Sequence, residues 1–160
     1  MKQLDEIIYD AIKTDEGIMA KIAYTTPQGT TAHAIKSTCF EVPPDALDNT
    51  PVPYIIVHDS GFQNQLGTKD CVWESDEDQV AAVVEIAAES PDEVKDIARS
   101  IRKAVEAHVA QMYQEGQNTP QLQSLTSQGI DWDYEKPCYY QHLNYQCLIK
   151  APTDDEQEET

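Results

Sequence analysis

The sequence has no long hydrophobic run and no basic leader. Its longest uninterrupted apolar stretch, residues 80–84, is far shorter than the roughly 20 residues that a membrane-spanning helix needs. The first residues, MKQLDE, include acids and no apolar segment, unlike a signal or transit peptide. We therefore expect no transmembrane helix and a protein that remains in the compartment where it is made.

The motifs of cofactor sites are also missing. The six glycines form neither G-x-x-x-x-G-K nor G-x-G-x-x-G, so no nucleotide site is predicted. The cysteines Cys39, Cys71, Cys138 and Cys147 include no C-x-x-C pair, which favours free thiols in a reducing compartment. His142 lies between Cys138 and Cys147, but alternation along a strand places it on the opposite side from Cys147, so no metal site is predicted. We expect no cofactor.

Positive charge is scarce in this sequence. The 160 residues include 11 Lys or Arg and 29 Asp or Glu, which gives a net charge of -18. Five of these acids lie in residues 151–160, so most of the excess negative charge belongs to the rest of the chain. Such a surface repels phosphate groups, so ordinary binding of DNA, RNA or anionic lipid is not expected. Solubility alone is the simplest explanation of the acidity.

Two helices are predicted. The segment Ser90-Pro91-Asp92-Glu93 combines an N-cap serine, a proline at the first helical position and a glutamate three residues after the cap. The long helix that starts there ends at Gly116, and its roughly 37 Å would cover one face of a sheet. A first helix over residues 2–13 is indicated by apolar residues at helical spacing, which are Leu4, Ile7, Ile8, Ala11 and Ile12.

Three segments have the composition of strands. Residues 52–58 are rich in β-branched and aromatic side chains and are expected to stop at Asp59-Ser60-Gly61. Residues 80–88 are apolar on both faces, which predicts an interior strand. Residues 130–134 and 137–150 form a last β region, in which alternation separates a mainly apolar side from a polar one.

The remaining segments are predicted to be loops. Residues 25–51 are rich in Thr and Pro, and only residues 33–42 favour a strand; residues 116–129 carry no charge and resemble a connector that Leu122 and Leu125 anchor. Residues 151–160 are expected to be a disordered acidic tail. We therefore predict an α+β fold with a single domain over residues 1–150. It contains an antiparallel or mixed sheet of about four strands, packed by an N-terminal helix and one long central helix.

One segment resembles a catalytic site. His58, Asp59 and Ser60 supply a base, an acid and a hydroxyl at the end of a predicted strand. A catalytic triad, however, draws its members from separate segments, and no G-x-S-x-G elbow precedes any serine. The pattern favours a turn in which Asp and Ser cap backbone groups, and no catalytic residue is predicted.

Candidate contact residues come from two regions. Residues 62–68 are polar and are expected to form an exposed tip, with a returning arm at residues 71–74. The late aromatic residues suit either a core or a partner surface, and both interpretations stay open. The predicted interface residues are Phe62, Gln63, Asn64, Trp73, Trp132, Tyr134 and Tyr140.

The order of these elements resembles a known family. A helix is followed by a strand beginning Val-Pro-Tyr-Ile-Ile-Val (residues 52–57), an acidic tip, an apolar strand (residues 80–88) and a helix containing Ala-Arg-Ser-Ile-Arg-Lys-Ala-Val (residues 98–105). This order resembles the tail terminator, or tail-completion, proteins of long-tailed bacteriophages. The resemblance covers residues 2–112 and, more loosely, residues 130–150.

The resemblance implies a structural role without catalysis. Proteins of this family form a ring, usually hexameric, that caps the finished tail tube and joins it to the head connector in the virion neck, after assembly in the bacterial host cytoplasm. The implied partners are further copies of this chain, the tail tube protein and the head connector or stopper protein. Genomic DNA would pass through the ring without specific binding, because an acidic lumen repels phosphates.

Three alternatives remain open from the sequence. A head-tail connector or stopper protein shares the virion class and differs in which neighbour the ring contacts. An acidic monomeric inhibitor or DNA mimic would bind basic partners and would not self-associate. A small hydrolase built around His58 and Asp59 is the third.

Overall fold

The chain begins with two helices, and a third, longer helix lies between the strands. The computed structural model describes residues 3–37, 52–64, 77–135 and 137–150. Its helices are α1 (Leu4–Thr14), α2 (Glu16–Lys21) and α3 (Pro91–Gln114). Its strands are β1 (Ala23–Thr25), β2 (Thr31–His33), β3 (Ile35–Ser37), β4 (Tyr54–Asn64), β5 (Glu77–Ala88), β6 (Gln121–Thr126), β7 (Ile130–Asp133) and β8 (Cys138–Lys150).

The main sheet is mixed and has six strands in the described part of the chain. Its order is β3-β4-β5-β8-β6, and β7 pairs with β8 beyond the end of β6. β3 runs parallel to β4, whereas all other pairs are antiparallel. β1 and β2 form a separate two-stranded sheet. The predicted α+β class is confirmed, with two more strands in the main sheet than the expected number of about four.

One strand of the main sheet comes from a segment predicted as a loop, whereas β3 lies within residues 33–42, which favour a strand in the sequence. The uncharged connector over residues 116–129 contains β6, which pairs with β8. Because β6 lies at an edge and is mostly exposed, it lacks the apolar alternation that marks a strand in sequence. Leu125 packs on the core as expected, but Leu122 is 54% exposed and does not anchor the segment. Residues 38–51 and the predicted tail at 151–160 lie outside the described residues.

The predicted stop at Asp59-Ser60-Gly61 is wrong. β4 continues to Asn64 with a β-bulge, because Asp59 pairs with Ala82 and Phe62 pairs with Val80. Gly61 takes the positive φ of 90° that the bulge requires, and its backbone N–H donates to Asp59 Oδ1 at 2.9 Å. The residues Asp59-Ser60-Gly61, which predict a stop, therefore form a bulge within a continuous strand.

α1 and α3 cover one face of the sheet. α1 packs on α3, β4 and β5, while α3 packs on β5 and β8. The buried side chains between them include Ile8, Ile12, Ile55, Val84, Ile86, Ile97 and Ile101. Among the described helices, none is both long enough and apolar enough to cross a membrane.

The opposite side of the sheet carries no described helix. On β8 the side chains of Leu143, Tyr145, Cys147 and Ile149 are buried against the helices, and the alternate residues from Tyr140 to Leu148 are half-buried or exposed. This confirms the predicted division of the strand into an apolar and a polar side. We call the second side the helix-free face, and its central residues are His58, Ala81, Val83, Glu85, Tyr140, His142 and Asn144.

The start of α3 offers a direct test of the capping motif. Ser90 is the N-cap, and its hydroxyl accepts a hydrogen bond from the Glu93 backbone N–H at 3.2 Å. Replacing Ser90 by Ala leaves that donor without its partner and should lower the free energy of unfolding by about 1 kcal/mol. Urea denaturation measures the change. The Ser90→Asn variant keeps a capping oxygen and should stay near wild type; equal loss in both variants would contradict the capping role.

Candidate assembly surface

The predicted tip residues lie at the outer end of β4. Phe62 is 74% exposed and aligns with Val80 of β5. The Asn64 amide Nδ2 donates to Asp78 Oδ1 at 2.6 Å, which ties the ends of β4 and β5 together. An exposed phenylalanine on a strand braced in this way is a rigid apolar contact point. Trp73 lies outside the described residues.

The predicted aromatic residues lie at β7, the following turn and the start of β8. The Trp132 and Tyr139 rings meet edge to face, with centroids 4.7 Å apart and planes at 66°. Tyr134 is 87% exposed. The Tyr140 hydroxyl donates to Asp131 Oδ2 at 3.5 Å, and the nearby Asp131 carboxylate raises the pKa of Tyr140.

The structure separates the candidate residues into two patches. Phe62 aligns with Val80, whereas Tyr140 aligns with Ala87 on the same strand β5. At about 3.4 Å per residue, these levels are roughly 24 Å apart along the strand. We call them the outer patch (Phe62, Gln63, Asn64) and the inner patch (Trp132, Tyr134, Tyr140). One chain does not bring them together, but two neighbouring chains can.

Two further exposed apolar residues were missed from the sequence. Leu122 aligns with Cys147, which aligns with Val80, so Leu122 lies in the same cross-sheet row as Phe62. Tyr113, 76% exposed, lies in the last turn of α3, close to where Asn118 Nδ2 donates to the Lys150 carbonyl. Both therefore lie at the outer end of the molecule. A large side chain off the apolar stripe of α3 was the available signal for Tyr113.

Glu85 is the centre of a polar cluster on the helix-free face. Its Oε2 lies 3.7 Å from His58 Nε2 and 3.7 Å from His142 Nε2, on the two flanking strands. The buried Tyr54 hydroxyl also donates to the Glu85 carboxylate. Burial, followed by the negative charge of Glu85, raises the pKa of Tyr54. The cluster joins β4, β5 and β8 through one carboxylate.

The catalytic interpretation of His58-Asp59-Ser60 has no geometric support. His58 faces Glu85 on the helix-free face, whereas the next residue, Asp59, points to the other side of β4 and accepts from the Gly61 backbone N–H. Ser60 is exposed in the bulge between Asp59 and Phe62. The three side chains therefore do not converge.

The cysteines and His142 are also separated. Cys147 is buried on the helix-covered side of β8, and His142 lies on the helix-free face. Cys138 is also a buried thiol. Across the described ranges, no group of three or more His, Cys, Asp or Glu side chains is arranged to hold a metal ion. Cys39 and Cys71 lie outside those ranges.

The Glu85 cluster predicts a selective effect of substitution. Glu85→Ala removes one acceptor of the buried Tyr54 hydroxyl, and losing a hydrogen bond to a charged group costs about 1.5–3 kcal/mol of stability. Glu85→Gln keeps an amide oxygen and should lose less. Thermal unfolding of both variants beside wild type measures the difference. Identical losses would show that the hydrogen bond to Tyr54 does not matter for stability.

Cys147 predicts a dependence of stability on alkaline pH. Burial raises the pKa of the Cys147 thiol to about 11 from the ordinary 9.0. The folded chain then keeps a proton that the unfolded chain loses, so this contribution is full below pH 9.0 and is lost as the pH rises to about 11. The Cys147→Ala variant should therefore lose less stability than wild type over this interval in urea titrations at stepped pH. Parallel pH profiles for the two proteins would contradict the assignment.

Comparisons with known proteins assign this chain to no family. No protein-family model matches the sequence, and no curated protein matches it. Among solved structures, a chain described as "Virion of native gene transfer agent (GTA) particle" has a TM-score of 0.49 and 10% sequence identity. The match covers 92% of this chain and 95% of that chain.

Proposed function

We propose that this chain is a structural protein of a phage-like virion that acts as a tail terminator. Copies associate head to tail into a hexameric ring, which caps the tail tube and joins it to the head connector. The chain makes or breaks no covalent bond in this role. Genomic DNA passes through the hole of the ring.

The order of elements supports the family part of this proposal. The resemblance implies a helix, a Pro-Tyr-Ile-Ile-Val strand, a second strand, a helix with an Ile-Arg-x-Ala-Val kernel and closing strands. The chain has α1, β4, β5, α3 and then β6 to β8 in that order. Residues 54–57 are buried at the start of β4, and Ile101 and Val105 are buried on α3. The matching motifs are therefore core positions, which support the fold more than the contacts.

The observation that carries the ring is the pair of unlike exposed patches. A head-to-tail contact needs two different surfaces on each copy, and it closes into a ring when the rotation between copies closes. The outer patch presents Phe62, and the inner patch presents Tyr134, at opposite ends of one rigid sheet. Large exposed aromatic side chains are typical of protein contacts.

The net charge of -18 supports the passage of DNA. Carboxylates that line a channel repel the phosphates of DNA, so the duplex slides without adhering. The proposal therefore places acidic side chains around the hole of the ring. A ring structure with a neutral or basic lining and its acids outside would contradict this part.

Assembly can be tested with single substitutions in the two patches. Phe62→Ser and Tyr134→Ser each remove one large apolar side chain from one partner of the contact, and each should weaken association about tenfold or more. Negative-stain electron microscopy and mass photometry of the purified protein, alone and with tail tubes, measure ring formation. The exposed neighbours Ser60→Ala and Glu135→Ser are the controls and should assemble like wild type.

The outcomes also separate the alternatives. Rings that bind the ends of tail tubes support the terminator, and rings that bind only the head connector indicate the stopper instead. A wild-type protein that stays monomeric with tail tubes present, and binds a basic protein tightly, would identify an acidic inhibitor and overturn the proposal. If both patch variants form rings like wild type, the outer and inner patches are not the contact surfaces.

A further inference from the structure

A basic groove runs between α3 and the edge of the sheet. Lys95, Arg99 and Arg102 lie at i, i+4 and i+7 on α3 and form one wall. Leu125 at the end of β6 and Ser127 just after it form the other wall, and Gln141 of β8 lies between the two walls. The groove is open to solvent, and its three cations are exposed. We call it the basic groove.

The basic groove gathers positive charge, which is scarce in this chain. The sequence has 11 basic residues against 29 acids, and both of its arginines line this groove. Within the part of the chain that the structure describes, none of the three cations has a carboxylate within ion-pair distance. Like charges at these spacings on one helix face repel each other, so binding of an anion between them is favoured.

The groove also contains an acceptor that lacks a donor. Gln141 Nε2 donates to Ser127 Oγ at 3.0 Å, but Gln141 Oε1 is buried and has no partner among the described residues. A buried acceptor without a donor is unfavourable, so a ligand that supplies a donor is favoured. A phosphate group brings acceptors only, whereas an acidic peptide brings both carboxylates and backbone N–H groups.

The strand beside the groove suits an extended peptide. β6 is the last strand of the main sheet in the described chain and contains no charged residue. Its outer edge therefore has backbone groups available for pairing, without the charges that usually block an exposed edge. An extended segment bound in the groove would lie next to the end of this edge.

We propose that the basic groove binds an extended acidic peptide segment, namely residues 151–160 of a second copy of this chain. This segment carries five acids in ten residues, at Asp154, Asp155, Glu156, Glu158 and Glu159. Its charge complements the three cations, and its backbone supplies the donor for Gln141. The inference does not rest on the proposed function, because it concerns the pairing of two copies through one groove.

The distance along β8 favours a second copy over the same copy. β8 ends at Lys150, nine residues beyond Gln141, which is about 30 Å of extended strand. If residues 151–160 turned back after two residues, Glu159 would reach only the level of Asn144 by the same rise per residue. Most of the acids would then remain outside the groove. A segment from another copy has no such restriction.

The test uses two variants of the full chain. The groove variant carries Arg99→Ala and Arg102→Ala; the segment variant carries Asp154→Asn, Asp155→Asn, Glu156→Gln, Glu158→Gln and Glu159→Gln. Sedimentation velocity over a range of concentrations should show wild-type association that salt weakens, and association about tenfold weaker or more in each variant. The control Lys13→Ala with Lys103→Ala removes as much charge outside the groove and should behave like wild type.

Mixing the two variants tests whether the segment of one copy binds the groove of another copy. The groove variant keeps an intact segment and the segment variant keeps an intact groove, so an equimolar mixture restores one contact and should associate more strongly than either variant alone. A fluorescent peptide of residues 151–160 should bind the segment variant and not the groove variant. Far-ultraviolet circular dichroism confirms that both variants are folded.

Four outcomes would overturn the inference. The first is a groove variant that associates like wild type, and the second is a mixture that associates no more strongly than either variant alone. The third is a wild type that stays monomeric while the peptide binds the segment variant, which places the segment in the groove of its own copy. The fourth is a DNA oligonucleotide that binds the groove more tightly than the peptide does. If the groove variant still forms rings on tail tubes, the proposed function stands and this contact fails alone.

Discussion

The register of β4, β5 and β8 is the constraint on which the rest of the structure depends. Val57, Val84 and Leu143 align across these strands and are buried under α1 and α3. Because side chains alternate along a strand, a slip of one residue would turn Glu85 into that core and expose Val84. The burial of one face therefore fixes what the other face presents. The Glu85 cluster with His58 and His142, and the levels of the outer and inner patches, follow from this one alignment.

The net charge of -18 opposes association between copies of this chain. Two acidic surfaces repel each other, so contacts between copies are favoured where the charge is low or reversed. In the described chain, such places include the outer patch with Phe62, the uncharged strand β6 and the basic groove. The acidity that excludes ordinary binding of nucleic acid thus also limits which surfaces can meet.

Much of this fold follows from local patterns, and the rest depends on partners distant in sequence. Helical spacing and the Ser90 cap predict α1 and α3 within two residues, because both signals are local. The strand β6 was missed, since its residues are polar and its stability comes from pairing with β8. Exposure of Phe62 and Tyr134 was predictable from polar surroundings. The basic groove was not, because Arg99 and Gln141 lie 42 positions apart and meet only when α3 packs on β8.

The two kinds of contact would play different parts in one assembly. An acidic segment and a basic groove on the same chain are complementary but not symmetric, so each copy offers one and receives the other. Such a contact is directional and gives either a ring or an open filament, depending on the rotation between copies. A ten-residue segment bound in a groove brings copies together without fixing the angle between them. The outer and inner patches, roughly 24 Å apart along β5, belong to one sheet and can fix the angle between copies. Closure would then be set by the apolar patches, while the charged contact raises the effective concentration of neighbouring copies.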